Sequence, residues 1–293
     1  MHFIFYRTSI NQLWEKINEC SNAYAGCYYI TSLSDKYAVS EAKFTSNEFT
    51  FLMCSSMSVF LAFSFPFQEI KFTLAWQSFL AVILITICKM LEFQMSAIVL
   101  KQLTAFELKA WLGITLFASY FCDVILGAKP KVISITCITA TVIGLICIAK
   151  SGRKGKVNYK DIIIPLLLYL ISKFGYGIVI KSFSVYISPM MQLFPAMISI
   201  ALIMLTKVSV KKISDKNKKG ALKVILARIP NTIGMLLENA IIAISLTNYS
   251  FIQPMVLVSL FIIGIIRKEK RSQLNLIGSI ICVLGIILFQ IFK

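Results

Sequence analysis

Histidine, clustered acidic residues and paired cysteines, the usual material of catalytic and metal sites, are almost missing from this chain. Its single histidine is His2, and its 13 acidic residues are spread without an Asp-rich diphosphate motif. The eight cysteines form no Cys-x-x-Cys pair. A metal site built on histidine and cysteine is therefore not expected. An integral-membrane transferase, which needs an Asp-rich Mg²⁺ site or a histidine acid/base group, is disfavoured too, so we expect no catalytic residues and no cofactor.

Long apolar segments dominate what is present. Hydrophobic residues make up 58% of the chain and the mean hydropathy is +0.80, beyond the range of ordinary soluble domains. A helix of about 20 apolar residues crosses a bilayer core. The sequence therefore predicts an all-α integral membrane protein, a helical bundle of 9–10 transmembrane helices, multi-pass in the cell membrane. Nine predicted spans are clear, and a weak tenth lies near residues 20–36. The nine are 50–67, 74–99, 106–127, 132–149, 162–181, 188–206, 224–246, 249–266 and 273–292.

The charge of the chain is strongly positive and unevenly placed. A formal net charge of +17 on a soluble protein would suggest nucleic acid as a partner. Here the lysines and arginines crowd into short connections at 150–160, 207–223 and 267–271, whereas 182–187 and 247–250 hold none. Short basic loops face the cytoplasm and attract anionic lipid. We therefore expect the lipid bilayer and no nucleic acid as partner, with a C-terminus outside the cell.

The chain also shows signs of an internal repeat. Residues 37–63 echo 186–205, since each segment starts with tyrosine, continues through serine and runs into an apolar helix. Residues 132–148 echo 274–291, and each of these follows a short basic turn. The halves are then 1–149 and 162–293, joined by a basic cytoplasmic linker at 150–161. If each half holds an odd number of helices, the second is inverted in the membrane, which is a transporter architecture.

In this arrangement, residues 37–293 resemble the EamA-like members of the drug/metabolite transporter superfamily. The resemblance rests on the two repeats, on Ser188-Pro189 opening a helix, and on a short charged turn before each last helix. The last helices also carry spaced glycines, at Gly144, Gly278 and Gly285. It implies two inverted five-helix repeats around a central cavity, alternating access, and transport of a small metabolite, amino acid or drug-like solute. Such transport is often driven by a proton gradient, so protons are candidate coupling ions, and a homodimer is a further expectation.

The chain departs from that family pattern in three ways. Residues 1–20 are polar and amphipathic where an apolar half-helix belongs. The glutamate of the charged turn survives only as Glu269, and the lysines favour an outward C-terminus whereas both termini of the family commonly lie inside. The polar start leaves a second function open, that of a non-transporting or degenerate membrane paralogue or assembly subunit. An uptake or efflux assay separates the two.

Charged residues at membrane depth are the candidate site residues. Each costs about 2.5–3.5 kcal/mol at a helix centre, so they should face the protein interior or water. Lys89 and Glu92 are three residues apart and share a helix face, as either a self-neutralising pair or part of a binding site. Lys173 lies in the middle of its span, just before Gly175-Tyr176-Gly177, where glycines permit close helix approach. We favour a cavity position for Lys173.

Glu238 and Asn239 complete the set of substrate- or proton-binding candidates. A carboxylate alone in a low-dielectric site holds a proton near neutral pH, so an isolated Glu238 would be a proton carrier. The alternative for Glu238 is a structural ion pair, for example with Lys173. Arg228 lies at the cytoplasmic end of the same predicted span, and we expect it to snorkel to the interface.

Overall fold

The computed structural model describes residues 26–244, apart from 29, 68–69, 104, 114, 126–128 and 152–158, and residues 272–292. Within these ranges the chain is helical and forms no strand, and its single isolated bridge joins Phe72 to Ile187. The predicted span 249–266 and the polar start at 1–20 lie outside the described residues. Over the described residues, the expected helical class is confirmed.

The helices follow the predicted spans in most places. The described residues 26–28 and 30–40 belong to α1, which ends later than the weak span near 20–36. A short 3₁₀ turn, Phe65–Phe67, extends the second helix. The remaining helices are α2 Ser46–Ser64, α3 Trp76–Val99, α4 Ala105–Leu112, α5 Thr115–Ile125, α6 Val132–Ser151, α7 Tyr159–Phe183, α8 Pro189–Leu205, α9 Val210–Leu226, α10 Arg228–Ile244 and α11 Gln273–Phe292.

Three helical stretches of the described chain are long and apolar enough to cross a membrane. They are Trp76–Val99, Asp161–Phe183 and Asn217–Asn239. Shorter apolar helices occur at Val132–Ile148, Pro189–Leu205 and Leu276–Gly285. The chain thus carries helices fit for a bilayer, whereas the total of nine or ten spans stays a prediction.

One predicted span is divided. The segment 106–127 was expected to be a continuous helix, but α4 ends at Leu112 and α5 begins at Thr115. Gly113 lies at the break, in a turn. Glycine disfavours a helix interior by about 1 kcal/mol relative to alanine, because its backbone loses more conformational freedom on ordering. The break shortens α4 and leaves it as a separate wall beside α3 and α7.

The basic connection at 207–223 is not the loop that the lysines suggest. Residues 210–223 belong to α9, which is kinked at Asn217 (φ −162°, ψ 77°). The Asn217 side chain accepts a hydrogen bond from the Gly220 amide at 2.7 Å, as an N-cap residue does. The membrane-length helical stretch Asn217–Asn239, which covers the second part of α9 and continues into α10, therefore starts at Asn217 instead of residue 224. Lysines in its first turns can extend their flexible side chains to water, so the free-energy cost of placing them in this stretch is low.

The helices pack in antiparallel pairs. At one end of the bundle, the Thr73 amide before α3 donates to the Tyr186 carbonyl after α7 at 3.0 Å. The Ser64 hydroxyl at the end of α2 meets Met190 at the start of α8 at 3.8 Å. The ammonium group of Lys131, before α6, reaches the carbonyl of Phe292 in the last turn of α11 at 3.4 Å. Each of the pairs α3/α7, α2/α8 and α6/α11 therefore joins one helix from each half of the chain.

The α6/α11 pair repeats one contact in both directions. A Cβ on Gly144 would lie 2.5 Å from the Gly278 carbonyl oxygen and 2.7 Å from the Cys282 nitrogen. A Cβ on Gly285 would meet the same two kinds of backbone atom in α6, a carbonyl oxygen at 2.9 Å and an amide nitrogen at 3.0 Å. Cys137 of α6 corresponds to Gly278 of α11, Thr141 to Cys282, and Gly144 to Gly285. The two members of each pair are separated by the same number of residues along the chain. Around this contact the two helices are related by an approximate two-fold axis.

The two ends of the bundle differ in charge. The basic end carries α9, the end of α3 and the start of α7; the opposite end carries the start of α3 and the segment between α7 and α8.

Because basic segments stay in the cytoplasm, we expect Ser209→Cys at the basic end to be shielded in intact cells and Val185→Cys at the opposite end to be labelled. Both side chains are exposed, Val185 to 68%. The measurement is reaction with an impermeant thiol reagent, with the native cysteines replaced. If only Ser209→Cys is labelled, the protein has the opposite orientation in the membrane.

Candidate functional site

Lys89 and Glu92 form a buried ion pair on α3. The Lys89 ammonium lies 2.8 Å from Glu92 Oε2, and the exposed fractions of the two side chains are 1% and 9%. Their spacing of three residues places them on one face of the helix, so this contact is the one that the sequence predicts. The Lys89 ammonium also lies 3.6 Å from the centroid of the Tyr176 ring on α7. That face of α3 therefore points into the protein and not into lipid.

Lys173 bridges two carboxylates on different helices. Its ammonium lies 3.2 Å from Glu92 Oε1 on α3 and 2.6 Å from Glu238 Oε1 on α10. Gly175, two residues further along α7, lies beside Cys88 of α3, so the two helices pack against each other next to Lys173 and Glu92. The sequence favoured a cavity position for Lys173, and the structure buries its side chain between α3 and α10. A lysine shared by two acids keeps α3, α7 and α10 in register.

Glu238 is fully buried but not isolated. Besides Lys173, the Tyr28 hydroxyl of α1 donates a hydrogen bond to Glu238 Oε2. The expectation of a carboxylate standing alone is therefore wrong, and the ion pair with Lys173 is present. The physical reason is that α1, α7 and α10 converge at this depth, and sequence cannot show that convergence. A proton on Glu238 would have to compete with the Lys173 ammonium.

Asn239, the neighbour of Glu238, is fully buried against α7. The Tyr176 hydroxyl donates to Asn239 Oδ1. Its Nδ2 has no hydrogen-bond partner in the part of the chain that the structure describes. Tyr176 thus contacts Lys89 with its ring and Asn239 with its hydroxyl, and links the charged pair on α3 to α10.

Arg228 does not snorkel to the interface. Its side chain is fully buried, Nη2 donates to Asp35 Oδ1 on α1, and Nε donates to the Val224 carbonyl at 3.2 Å. The expectation failed because the membrane-length helix starts at Asn217, so Arg228 lies about three turns inside it. Asp35 sits seven residues after Tyr28, two helical turns away and on the same face of α1. The spacing of Tyr28 and Asp35 is the sequence signal that could have identified α1 as part of the site.

Lys109 on α4 also belongs to the site, although the sequence analysis did not name it as a candidate site residue. Its side chain is buried, and its ammonium lies 4.9 Å from the centroid of the Tyr28 ring. As part of a continuous span it would start a helix near the interface. Because α4 is separate and packs inward, Lys109 faces the interior. We call the charged residues gathered here the central cluster: Asp35, Lys89, Glu92, Lys109, Lys173, Arg228 and Glu238.

A pocket opens beside the central cluster and encloses about 560 Å³ of space free of protein atoms, including its mouth. Its charged lining residues are Asp35, Lys89, Glu92 and Lys109. Lys173 and Glu238 lie behind this lining, where Lys173 pairs with Glu92 and Glu238 accepts the hydrogen bond from Tyr28. Ligand pockets commonly combine apolar walls with a few polar groups, and this pocket has both kinds of lining.

The pocket lies toward the basic end, and described segments of the two halves of the chain are in contact at the opposite end. Its lining continues along α3 from Lys89 to Leu100, at the end of that helix. At the opposite end, the backbones of 71–73 and 186–188 are hydrogen-bonded, including the Ser188 amide to the Lys71 carbonyl at 2.8 Å. Phe65 packs edge-on against Phe194 with ring centroids 4.8 Å apart. These contacts join the two halves of the chain at that end.

Chemically, the arrangement provides paired charges and hydrogen-bond donors for a bound solute. Among the residues described, no group of three His, Cys, Asp or Glu side chains could hold a metal ion. No protein-family model matches the chain, and no curated protein is significantly similar to it.

Proposed function

We propose that the chain is a secondary transporter that moves a small metabolite, amino acid or drug-like solute across the cell membrane by alternating access. The observation that carries this proposal is the central cluster next to a pocket, inside helices apolar enough for a bilayer. Ionisable residues at membrane depth are costly, and where they occur they commonly mark solute or ion pathways. Seven of them gather in the central cluster and four line the pocket, as expected for a solute pathway more than for a membrane scaffold.

The packing supports the architecture of two inverted five-helix repeats, and with it the EamA-like family. The pairs α2/α8, α3/α7 and α6/α11 each join the two halves in antiparallel fashion. The reciprocal glycine contacts of α6 and α11 are those expected of two equivalent last helices that face each other in opposite directions. Inverted repeats allow one bundle to rock against the other around a central site. Under this proposal the remaining span is 249–266.

The one-sided pocket supports alternating access. It extends toward the basic end, while backbone hydrogen bonds and the Phe65–Phe194 contact join the two halves of the chain at the opposite end. If the basic end faces the cytoplasm, this is an inward-facing form. Opening outward requires the contacts between 71–73 and 186–188 to break, and these contacts connect the two proposed repeats.

The proposed roles divide between the pocket wall and the residues behind it. Lys89 and Glu92 line the pocket and are placed to bind the solute. Lys173, Glu238 and Asn239 connect α7 to α10 behind that wall. A proton that displaced Lys173 from Glu238 would loosen α7 from α10, so this pair is where a proton gradient could act on the helices.

Replacing Glu238 by Gln tests the proposal. The fold should persist because Lys173 keeps Glu92 as a partner at 3.2 Å. Net uptake against a gradient should fall by about tenfold or more, as expected for loss of a charged hydrogen bond. Any pH dependence should disappear, while exchange survives. The measurement is accumulation and counterflow of labelled amino acids, organic acids and amines in proteoliposomes.

The exposed Glu41 provides the matched control, since Glu41→Gln removes the same charge outside the pocket. It should transport like the parent. If Glu238→Gln concentrates solute as well as the parent, with the same pH profile, Glu238 has only a structural role. If the parent moves no solute in either assay, the proposed transport is wrong and the alternative of a non-transporting paralogue or assembly subunit takes its place.

A further inference from the structure

Positive side chains outnumber negative ones in the central cluster. Its cations are those of Lys89, Lys109, Lys173 and Arg228, and its anions are those of Asp35, Glu92 and Glu238. Lys36 and Glu107, next to the pocket, add one charge of each sign. With all groups ionised, the cluster therefore carries an excess of one positive charge in a region shielded from water, where charge is expensive to leave uncompensated.

Each carboxylate of the central cluster already has a cationic partner. Glu92 contacts both Lys89 and Lys173. Glu238 contacts Lys173, and Asp35 contacts Arg228. A cationic solute entering the pocket would have to separate one of these buried ion pairs before it could bind a carboxylate. The cluster is therefore poorly prepared for a cation.

Lys109 is differently placed. It lines the pocket, and among the residues that the structure describes no carboxylate forms an ion pair with it. Its described contact is with the face of the Tyr28 ring at 4.9 Å. Arg228 likewise leaves Nη1 without a hydrogen bond to any described residue. An anion entering the pocket meets the Lys109 ammonium without breaking an existing ion pair.

Apolar residues on the remaining walls can contact the carbon skeleton of an organic solute. Met53, Phe93, Leu100, Leu108 and Met235 line the same pocket as Lys109. Polar side chains complete the lining, namely Thr31, Ser32, Ser96, Tyr169 and Asn231. Apolar walls beside an available ammonium group favour a ligand that has an anionic group on a partly apolar frame. Inorganic anions such as sulfate would leave these walls without a partner.

We infer that the pocket binds small organic carboxylates, with the carboxylate on Lys109 and the apolar part against Phe93 and Leu108. This inference rests on the proposed function for its physiological meaning, since it names the class of solute that the transporter carries. Binding itself does not require that transport occur, and the two are therefore separable by experiment.

Three probes of matched size and different charge test the inference: benzoate, benzamide and benzylammonium. Each is titrated into the detergent-solubilised full chain, and the melting temperature and dissociation constant are measured. Benzoate should raise the melting temperature and bind at least about tenfold more tightly than either of the others, because only benzoate pairs a negative charge with the Lys109 ammonium, whereas benzamide offers a neutral carbonyl. Equal or tighter binding of benzylammonium would overturn the inference, as would failure of benzoate to bind.

Variants then identify the binding residue. Lys109→Gln should weaken benzoate binding by about tenfold or more, whereas Lys109→Arg keeps the charge and should stay within a few-fold of the parent. The exposed Lys101→Gln is the matched control for loss of a lysine and should not change binding. Parent-like benzoate binding by Lys109→Gln would overturn the assignment. If that variant does not fold, benzoate protection of Lys109 from amine-acylating reagents in the parent replaces it, and the absence of protection counts against Lys109.

Counterflow of labelled benzoate in proteoliposomes separates the two proposals. Binding without flux of benzoate or any other solute contradicts the transporter and leaves the carboxylate pocket in place. Flux of amines or neutral solutes without benzoate binding contradicts the carboxylate pocket and leaves the transporter in place.

Discussion

Lys173→Met should be among the most destabilising single substitutions in this chain, lowering the free energy of unfolding by about 3–5 kcal/mol. Methionine fills much of the lysine volume but leaves Glu238 without its ammonium partner at 2.6 Å and removes the contact to Glu92 at 3.2 Å. Breaking one member of a buried pair costs more than the pair contributes, because a charge is left uncompensated. The measurement is unfolding of the detergent-solubilised protein by added sodium dodecyl sulfate.

The same interaction predicts a specific rescue. Lys173→Met combined with Glu238→Gln removes the unpaired charge and should be more stable than Lys173→Met alone, with a coupling energy of about 0.5–3 kcal/mol. Lys101→Met, at an exposed position, should change stability by no more than about 0.5 kcal/mol. If the double variant is no more stable than the single one, the Lys173–Glu238 ion pair does not determine the stability of this region.

Gly144→Ala should destabilise the α6/α11 pair by about 1–3 kcal/mol, although it adds a single methyl group. That methyl would lie 2.5 Å from the Gly278 carbonyl oxygen, and a backbone atom cannot rotate away as a side chain can. Gly285→Ala creates the equivalent overlap with the Cys137 carbonyl at 2.9 Å and should act in the same direction. Thermal unfolding in detergent measures both.

Gly175→Ala provides a matched control within α7. Its added methyl would meet only the Cys88 sulfur at 3.5 Å, an ordinary contact distance. Alanine also favours the helical state by about 1 kcal/mol over glycine. This variant should therefore be as stable as the parent or slightly more so. Equal tolerance of alanine at Gly144 and Gly175 would show that α6 and α11 are further apart than the contacts indicate.

Contacts within one helix were predictable, whereas contacts between helices were not. The Lys89–Glu92 pair follows from a spacing of three residues and the geometry of the α-helix. The start of the helix at Asn217 could have been read from the asparagine followed by glycine three residues later, but the lysines around it argued for a loop. Local polarity therefore misplaced a helix boundary and, with it, the depth of Arg228.

The weak apolar signal of the span near 20–36 had a similar effect. It left α1 as an uncertain tenth span, yet Tyr28 and Asp35 give α1 its contacts with Glu238 and Arg228. Polar residues weaken the hydropathy signal of a helix, and in a membrane protein they are also the residues that line an interior site. A weak apolar signal was therefore compatible with a central position in the bundle.

The sequence by itself determined the helical class, the suitability of several helices for a bilayer and the presence of ionisable residues within them. These properties depend on composition and on spacing along one helix, which a linear chain displays directly. Only the tertiary structure decided which charges meet: Lys173 is 65 residues from Glu238, and Tyr28 is 210 residues from it. Pairings over such separations depend on how helices cross and how closely glycines let them approach. That is why Glu238 is found paired and Lys109 is found at the pocket.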